Sequence, residues 1–140
     1  MLFGKKKVKK EPLGKQRGLQ VIMHYEGLPG FQQDFPCYIE PTENAVVFYN
    51  QNDDEVKLPY SQLKNVDLVK EEWFMGKYHN NPIKTGKGPG QKWFYVLAYT
   101  SSLGEEKYIA LWFMGEIKIH KMMDIIKEKL SEKPAQSITL

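Results

Sequence analysis

WFYVLAYTSSLGEEKYIALWFMGEIKIHKMMDIIKEKL, residues 93–130, is the stretch whose reading decides the fold. Its first seven residues are a nearly continuous apolar run, which reads as a central strand. SSLGEE (101–106) supplies a hairpin turn, and residues 107–113 read as the last strand. After Gly115 the periodicity changes. Ile119, Met122, Met123, Ile126 and Leu130 recur at spacings of three and four, on one face of a helix. Lys118, Lys121, Asp124, Lys127 and Glu128 fall largely off that stripe. Lys127 and Lys129 suit the negative end of the helix dipole, and Pro134 prevents continuation. A helix with a single apolar stripe must lay it on something. The open end or groove of a curled sheet is the obvious place.

Upstream, the strand signals continue. Leu19, Val21, Met23 and Tyr25 alternate with Gln20, Ile22 and His24, a period of two that suits a half-buried strand. GLPG (27–30) breaks it. Residues 37–40 read as a second strand stopped by Pro41, and residues 45–49 as a third. NQNDD (50–54) is a turn cluster, and Val56, Leu58 and Tyr60 alternate in a fourth strand. Pro59 lacks an amide hydrogen, so this strand ends or lies at an edge there. Residues 66–74 read as a fifth strand. Residues 75–91, with four glycines and two prolines, read as a long loop, either a binding loop or a mobile one. The expected fold class is mainly β: a barrel of about seven antiparallel strands closed by a C-terminal amphipathic helix.

Length and composition agree with one domain. The chain has 140 residues, 41% hydrophobic and 13% aromatic, enough to bury a core without disulfide or metal staples. Cys37 is the one cysteine, so no internal disulfide forms. No apolar run approaches a membrane span, and the N-terminus has neither a secretory h-region nor a myristoylation pattern, so the expected location is the cytoplasm. Charge is unevenly placed. Residues 1–17 hold seven cations against one carboxylate, a net of +6. The remainder, with 13 basic and 16 acidic residues, carries −3. Residues 1–18, aperiodic and containing Pro12, Gly14 and Gly18, read as a disordered basic arm, residues 19–131 as the barrel domain, and residues 132–140 as a frayed tail.

Seven short strands followed by an amphipathic helix resemble the pleckstrin-homology superfold, and in particular a group of small bacterial PH-like proteins. The resemblance covers residues 19–131 and is carried by the lysine-rich MLFG start, the EGLP turn (26–29), LPYSQLKNV (58–66) and KYIAL (107–111). It implies a binding module, with no established enzymatic activity. Some relatives carry a Gly/Ala-rich apolar insertion between the fifth and sixth strands. Here that place holds the polar IKTGKGPGQK (83–92), so no membrane insertion is inferred from the loop. PH domains that bind phosphoinositides use basic residues around the first hairpin. Here EGLPGFQQDFP (26–36) has none.

Catalytic and metal signals are weak. His24, His79 and His120 are far apart, and their spacing with Cys37 matches no zinc or iron site. They read as surface or partly buried polar residues. The carboxylate pairs Asp53–Asp54 and Glu105–Glu106 fall in turns, where solvation rather than acid–base work is expected. KTGKGPGQK is glycine-rich and basic, but Gly86–Lys87 is followed by Gly88 and then a strand, not by the helix of a phosphate loop. No cofactor is expected, and no enzyme.

Two binding surfaces follow. Lys5, Lys6, Lys7, Lys9, Lys10, Lys15 and Arg17 form a candidate contact with an anionic membrane surface, weak and reversible. Lys84, Lys87, Lys92 and Trp93 form a candidate loop site. The reading adopted is a non-catalytic protein-interaction or peripheral membrane adaptor with an unidentified protein partner. The alternative is a single-stranded nucleic-acid binder that uses the arm and the lysines and aromatics of residues 84–95.

Overall fold

The structure is a computed structural model and describes residues 11–81, 91–115 and 119–131. The chain runs α1 (Leu13–Gln16), β1 (Gln20–Glu26), β2 (Phe35–Pro41), β3 (Ala45–Tyr49), β4 (Glu55–Pro59), β5 (Leu63–Lys70), α2 (Glu71–Tyr78), β6 (Lys92–Thr100), β7 (Glu106–Met114) and α3 (Ile119–Ser131). The fold is mainly β, as expected: seven antiparallel strands with a closing C-terminal helix. Their order is β4-β3-β2-β1-β7-β6-β5. β1 to β4 and β5 to β7 are thus two local meanders, joined where β1 pairs with β7. Hydrogen bonds do not close the sheet, and β4 and β5 are its edges. It curls nonetheless, because side chains from all seven strands meet in one core.

α3 completes that core. Met122, Met123 and Ile126 are buried in it and Leu130 packs at its margin, so these four positions of the stripe meet the sheet as their spacing predicted, while the side chain of Ile119 lies outside the described ones. The helix touches β5 at one edge and β1 and β2 in the other meander. It therefore bridges the gap that hydrogen bonds leave open.

The long apolar strands are explained by what lies outside the sheet. Tyr95, Leu97, Ile109, Leu111 and Phe113 face the main core, while Phe94, Val96, Ala110 and Trp112 face a second cluster under α2. Phe74 of α2 is fully buried there and stacks on Phe94, 4.4 Å between centroids and 6° between planes. α1 covers the other half of the outer face, over Tyr38, Val47 and Tyr49. A β-carbon at Gly14 would lie 2.4 Å from the Tyr38 ring, so only glycine lets α1 approach this closely. Strands buried on both faces read as continuous apolar runs.

Several expectations need correction. The fifth strand ends at Lys70, and Trp73 and Phe74 belong to α2. Lys70 is extended and Glu71 and Glu72 occupy the first helical turn, where carboxylates are favoured. The span read as a 75–91 loop therefore begins as helix, and its residues 82–90 lie outside the described ones. The arm stops short of residue 18, because residues 12–18 fold onto the sheet. Leu13 N–H donates to Asp53 Oδ1 at 2.7 Å, and Arg17 pairs with Glu40. β1 alternates as expected, and its core face is the less apolar set. Ile22 and His24 are buried in the core, whereas Val21 is 47% exposed and Met23 and Tyr25 face outward. The expected frayed tail at 132–140 lies outside the described residues.

Replacing Ile126, fully buried, by Ala should cost about 2–5 kcal/mol in chemical denaturation. A loss below about 1 kcal/mol would contradict the bridging role of α3.

Candidate functional site

The loop between β1 and β2 is organised around His24, which is 2% exposed. Leu28 N–H donates to its Nε2 at 3.2 Å, so that nitrogen carries no proton. Nδ1 therefore holds the proton and donates to the Gln32 carbonyl at 3.1 Å. Burial lowers the pKa of His24, with the Gln32 hydrogen bond and the charges of Glu26 and Asp34 opposing it. The Phe31 ring packs edge-on against it, 5.8 Å away. At Gly27, φ is +107° and an added β-carbon would lie 2.4 Å from the Tyr108 carbonyl oxygen. Only glycine permits this passage across β7. The loop closes at Asp34, which accepts from Trp112 Nε1–H at 2.8 Å. The reading of His24 as an ordinary surface or partly buried histidine is corrected: it is a neutral pin of the fold.

On the outer face, one Glu26 oxygen serves two partners. His79 Nε2 lies 2.8 Å from it, and the Tyr108 hydroxyl donates to it. This ties the residue capping α2 to the end of β1. Burial first, then Glu26, pushes the Tyr108 phenol up, so it stays protonated at neutral pH. Burial likewise raises the Cys37 thiol, which lies in the main core. A thiol in that state is a packing group rather than a nucleophile. Among the described residues no group of three or more His, Cys, Asp or Glu could hold a metal ion.

Of the basic residues predicted as sites, Lys15, Arg17 and Lys92 are among the described ones. Lys5, Lys6, Lys7, Lys9, Lys10, Lys84 and Lys87 lie outside the described residues. Lys15 pairs with Glu11 at 3.6 Å in an exposed contact. Arg17 is engaged by Glu40 and Tyr49, and the Glu40 hydrogen bond raises its pKa. Lys92 lies over the Trp112 ring at 4.3 Å, on the outer face. Trp93, next to it on β6, packs against the main core. The two point to opposite sides of the sheet and do not form one stacking platform. Of the turn carboxylates, Asp53 accepts from Leu13 and Glu106 pairs with Lys64, which lowers its pKa.

An apolar concavity lies elsewhere among the described residues. A groove of about 720 Å³ runs between α3 and the ends of β1 and β2. Leu19, Ile39, Pro41, Met122 and Ile125 supply its apolar wall, with Gly18, Gln20, His120 and Lys121 completing the lining. α1 ends at the groove, where Gly18, with φ +68°, turns the chain into β1. Ile125 is 44% exposed although its neighbour Ile126 is fully buried. The volume lies within the range of small-molecule sites, about 300–1,000 Å³. Sequence reasoning missed this groove. One signal was available: Ile125 is apolar yet lies off the stripe that the core needs.

A search with protein-family models and a search of curated proteins each found no match for this chain. Among the described residues no helix is long and apolar enough to cross a membrane.

Neutral His24 stabilises the fold at neutral pH, and this contribution falls away with acid. The folded-state pKa lies below the unfolded value of about 6.5. Its stabilisation is therefore complete above about pH 6.5 and is lost as pH falls through the folded pKa. Thermal melts from pH 7.5 to 5 should show this decline, and His24→Gln, less stable at pH 7.5, should show a flatter curve. Parallel curves would contradict the assignment.

Proposed function

We propose that this chain is a non-catalytic PH-like binding module whose α3 groove docks a protein partner. The observation that carries this reading is the groove itself: an apolar wall shared by the closing helix and the sheet, with an exposed isoleucine in its lining. Domains bury such walls against something, and one left uncovered by the described residues marks an interaction surface. The strand order and the closing helix support the PH-like element of the reading. The absence of cations from the β1–β2 loop favours a protein over a phosphoinositide, since phosphate recognition needs donors that Gly27–Asp34 do not supply from charged side chains.

The test is site-specific photocrosslinking in the native host. A photoreactive amino acid replaces Ile125 in the groove or, as control, Leu103 in the β6–β7 turn, which is 84% exposed. A defined protein adduct from position 125, absent from position 103, is expected. No adduct, or the same adducts from both positions, would refute the reading.

A further inference from the structure

We infer that His24 is an acid-operated clasp: when its imidazole takes up a second proton, the turn at residues 27–30 opens and Leu28 leaves the core while the sheet stays folded.

Few bonds hold this turn. Two hydrogen bonds join residues 28–33 to the rest of the described chain, and both end on one ring. Leu28 N–H donates to Nε2 of His24, and Nδ1–H donates to the Gln32 carbonyl. The bond from Phe31 N–H to the Leu28 carbonyl stays within the loop. The two clasping bonds respond to protonation in opposite ways. The Gln32 bond keeps its donor and becomes charge-assisted. The Leu28 bond is lost, because Nε2 turns from acceptor into donor and faces another donor at 3.2 Å. Leu28 is 4% exposed, and a buried N–H left without an acceptor is costly. Gly27 and Gly30, with φ of +107° and +78°, flank Leu28 and Pro29 and let the turn re-orient with little steric penalty. Asp34 limits the movement. Its N–H donates to the His24 carbonyl at 2.6 Å, and its side chain accepts from Trp112.

The surroundings of the ring set the sign of the response. Among the described residues the charges that reach it are Glu26, on its own strand, and Asp34, in the loop, and both favour the imidazolium. In register, β2 places Phe35 and β7 places Leu111 opposite His24, and neither ionises. Cys37, further along β2, is a neutral thiol. The β3–β4 turn contributes Asn50, Gln51 and Asn52 to a cavity of about 240 Å³ beside the ring, and Asp54 of that turn accepts from Asn50 at 2.9 Å. This polar cavity has room to hydrate an imidazolium. Burial outweighs the two carboxylates and lowers the pKa of the closed state. In the opened turn the hydrated ring returns towards about 6.5. Opening therefore takes up a proton, and acid favours it below about pH 6.5.

NMR of the full chain from pH 7.5 to 5 tests the clasp. Ring resonances of His24 report its protonation, amide exchange of Leu28 reports the turn, and exchange in β3 and β6 reports the sheet. Each rate is divided by that of an unstructured amide at the same pH. Leu28 protection should fall several-fold together with the His24 titration, by at most about tenfold per pH unit because one proton is taken up. Contacts between the Leu28 methyl groups and the core should weaken in parallel, while β3 and β6 stay protected. His79→Gln and His120→Gln should leave the fall intact, and His24→Gln should abolish it. The match between ring and turn in the unaltered chain stands without that last variant. Leu28 protection unmoved as His24 titrates, or a His24 that stays neutral throughout, would overturn the inference. So would a fall that persists in His24→Gln, or loss of protection in β3 and β6 together with Leu28.

Discussion

Everything distinctive in this molecule depends on the pairing of β1 with β7. The other strand pairings join neighbours in sequence, β1 to β4 in one meander and β5 to β7 in the other. Met23 faces Trp112, His24 faces Leu111 and Glu26 faces Ala110, across more than eighty residues. Closing so long a loop is entropically costly and needs specific compensation. The compensation is local. Gly27 lets the chain cross the β7 backbone, and Trp112 reaches from β7 to Asp34 at the end of the β1–β2 loop. Tyr108 donates to Glu26 from the same strand. The register shift between His24 and Glu26 marks where β1 bends to make these contacts.

α3 secures the same junction from inside. It lies between β5 and the β1–β2 pair, so burying Met123 and Ile126 fastens both meanders to one core. Its side chains divide the work within a single turn. Ile126 is fully buried, and Ile125, one position away, stays at the surface in the groove lining with Leu19 and Pro41. The groove is therefore a consequence of the closure rather than an added feature. The helix that completes the core leaves its flank beside β2, paired on both sides, and beside the start of β1, where Gln20–Ile22 have partners in β2 but none in β7.

Much of this architecture was legible in the sequence. The 3–4 spacing of Met122, Met123, Ile126 and Leu130 gave α3 its buried face, and β-branched and aromatic runs marked β3, β6 and β7. Other elements were hidden for physical reasons. EEWFMGKY carries no amphipathic periodicity, because Phe74 alone is fully buried while Trp73 is 45% exposed, so α2 resembled an extension of β5. β1 misled by its composition. Its three regularly spaced residues Val21, Met23 and Tyr25 face outward, where Met23 and Tyr25 join the cluster under α2 and Val21 stays exposed, and its core face holds a histidine. A buried imidazole satisfied by Leu28 and Gln32 has no linear signature, since both bonds depend on how the following loop folds back. Apart from Ile125, which is apolar yet off the stripe, the groove had no linear signal, because its lining comes from α3, β2 and the start of β1.

The central claim is that β1–β7 pairing and α3 make the two meanders one cooperative unit. Native-state hydrogen exchange of the backbone amides tests it most directly. If the claim holds, protected amides in β1 and β7 open with the same free energy as those in β3 and β6, and all of them match global unfolding. A distinctly lower opening free energy for β1 to β4, with β5 to β7 still protected, would show that the meanders unfold separately and would contradict the account.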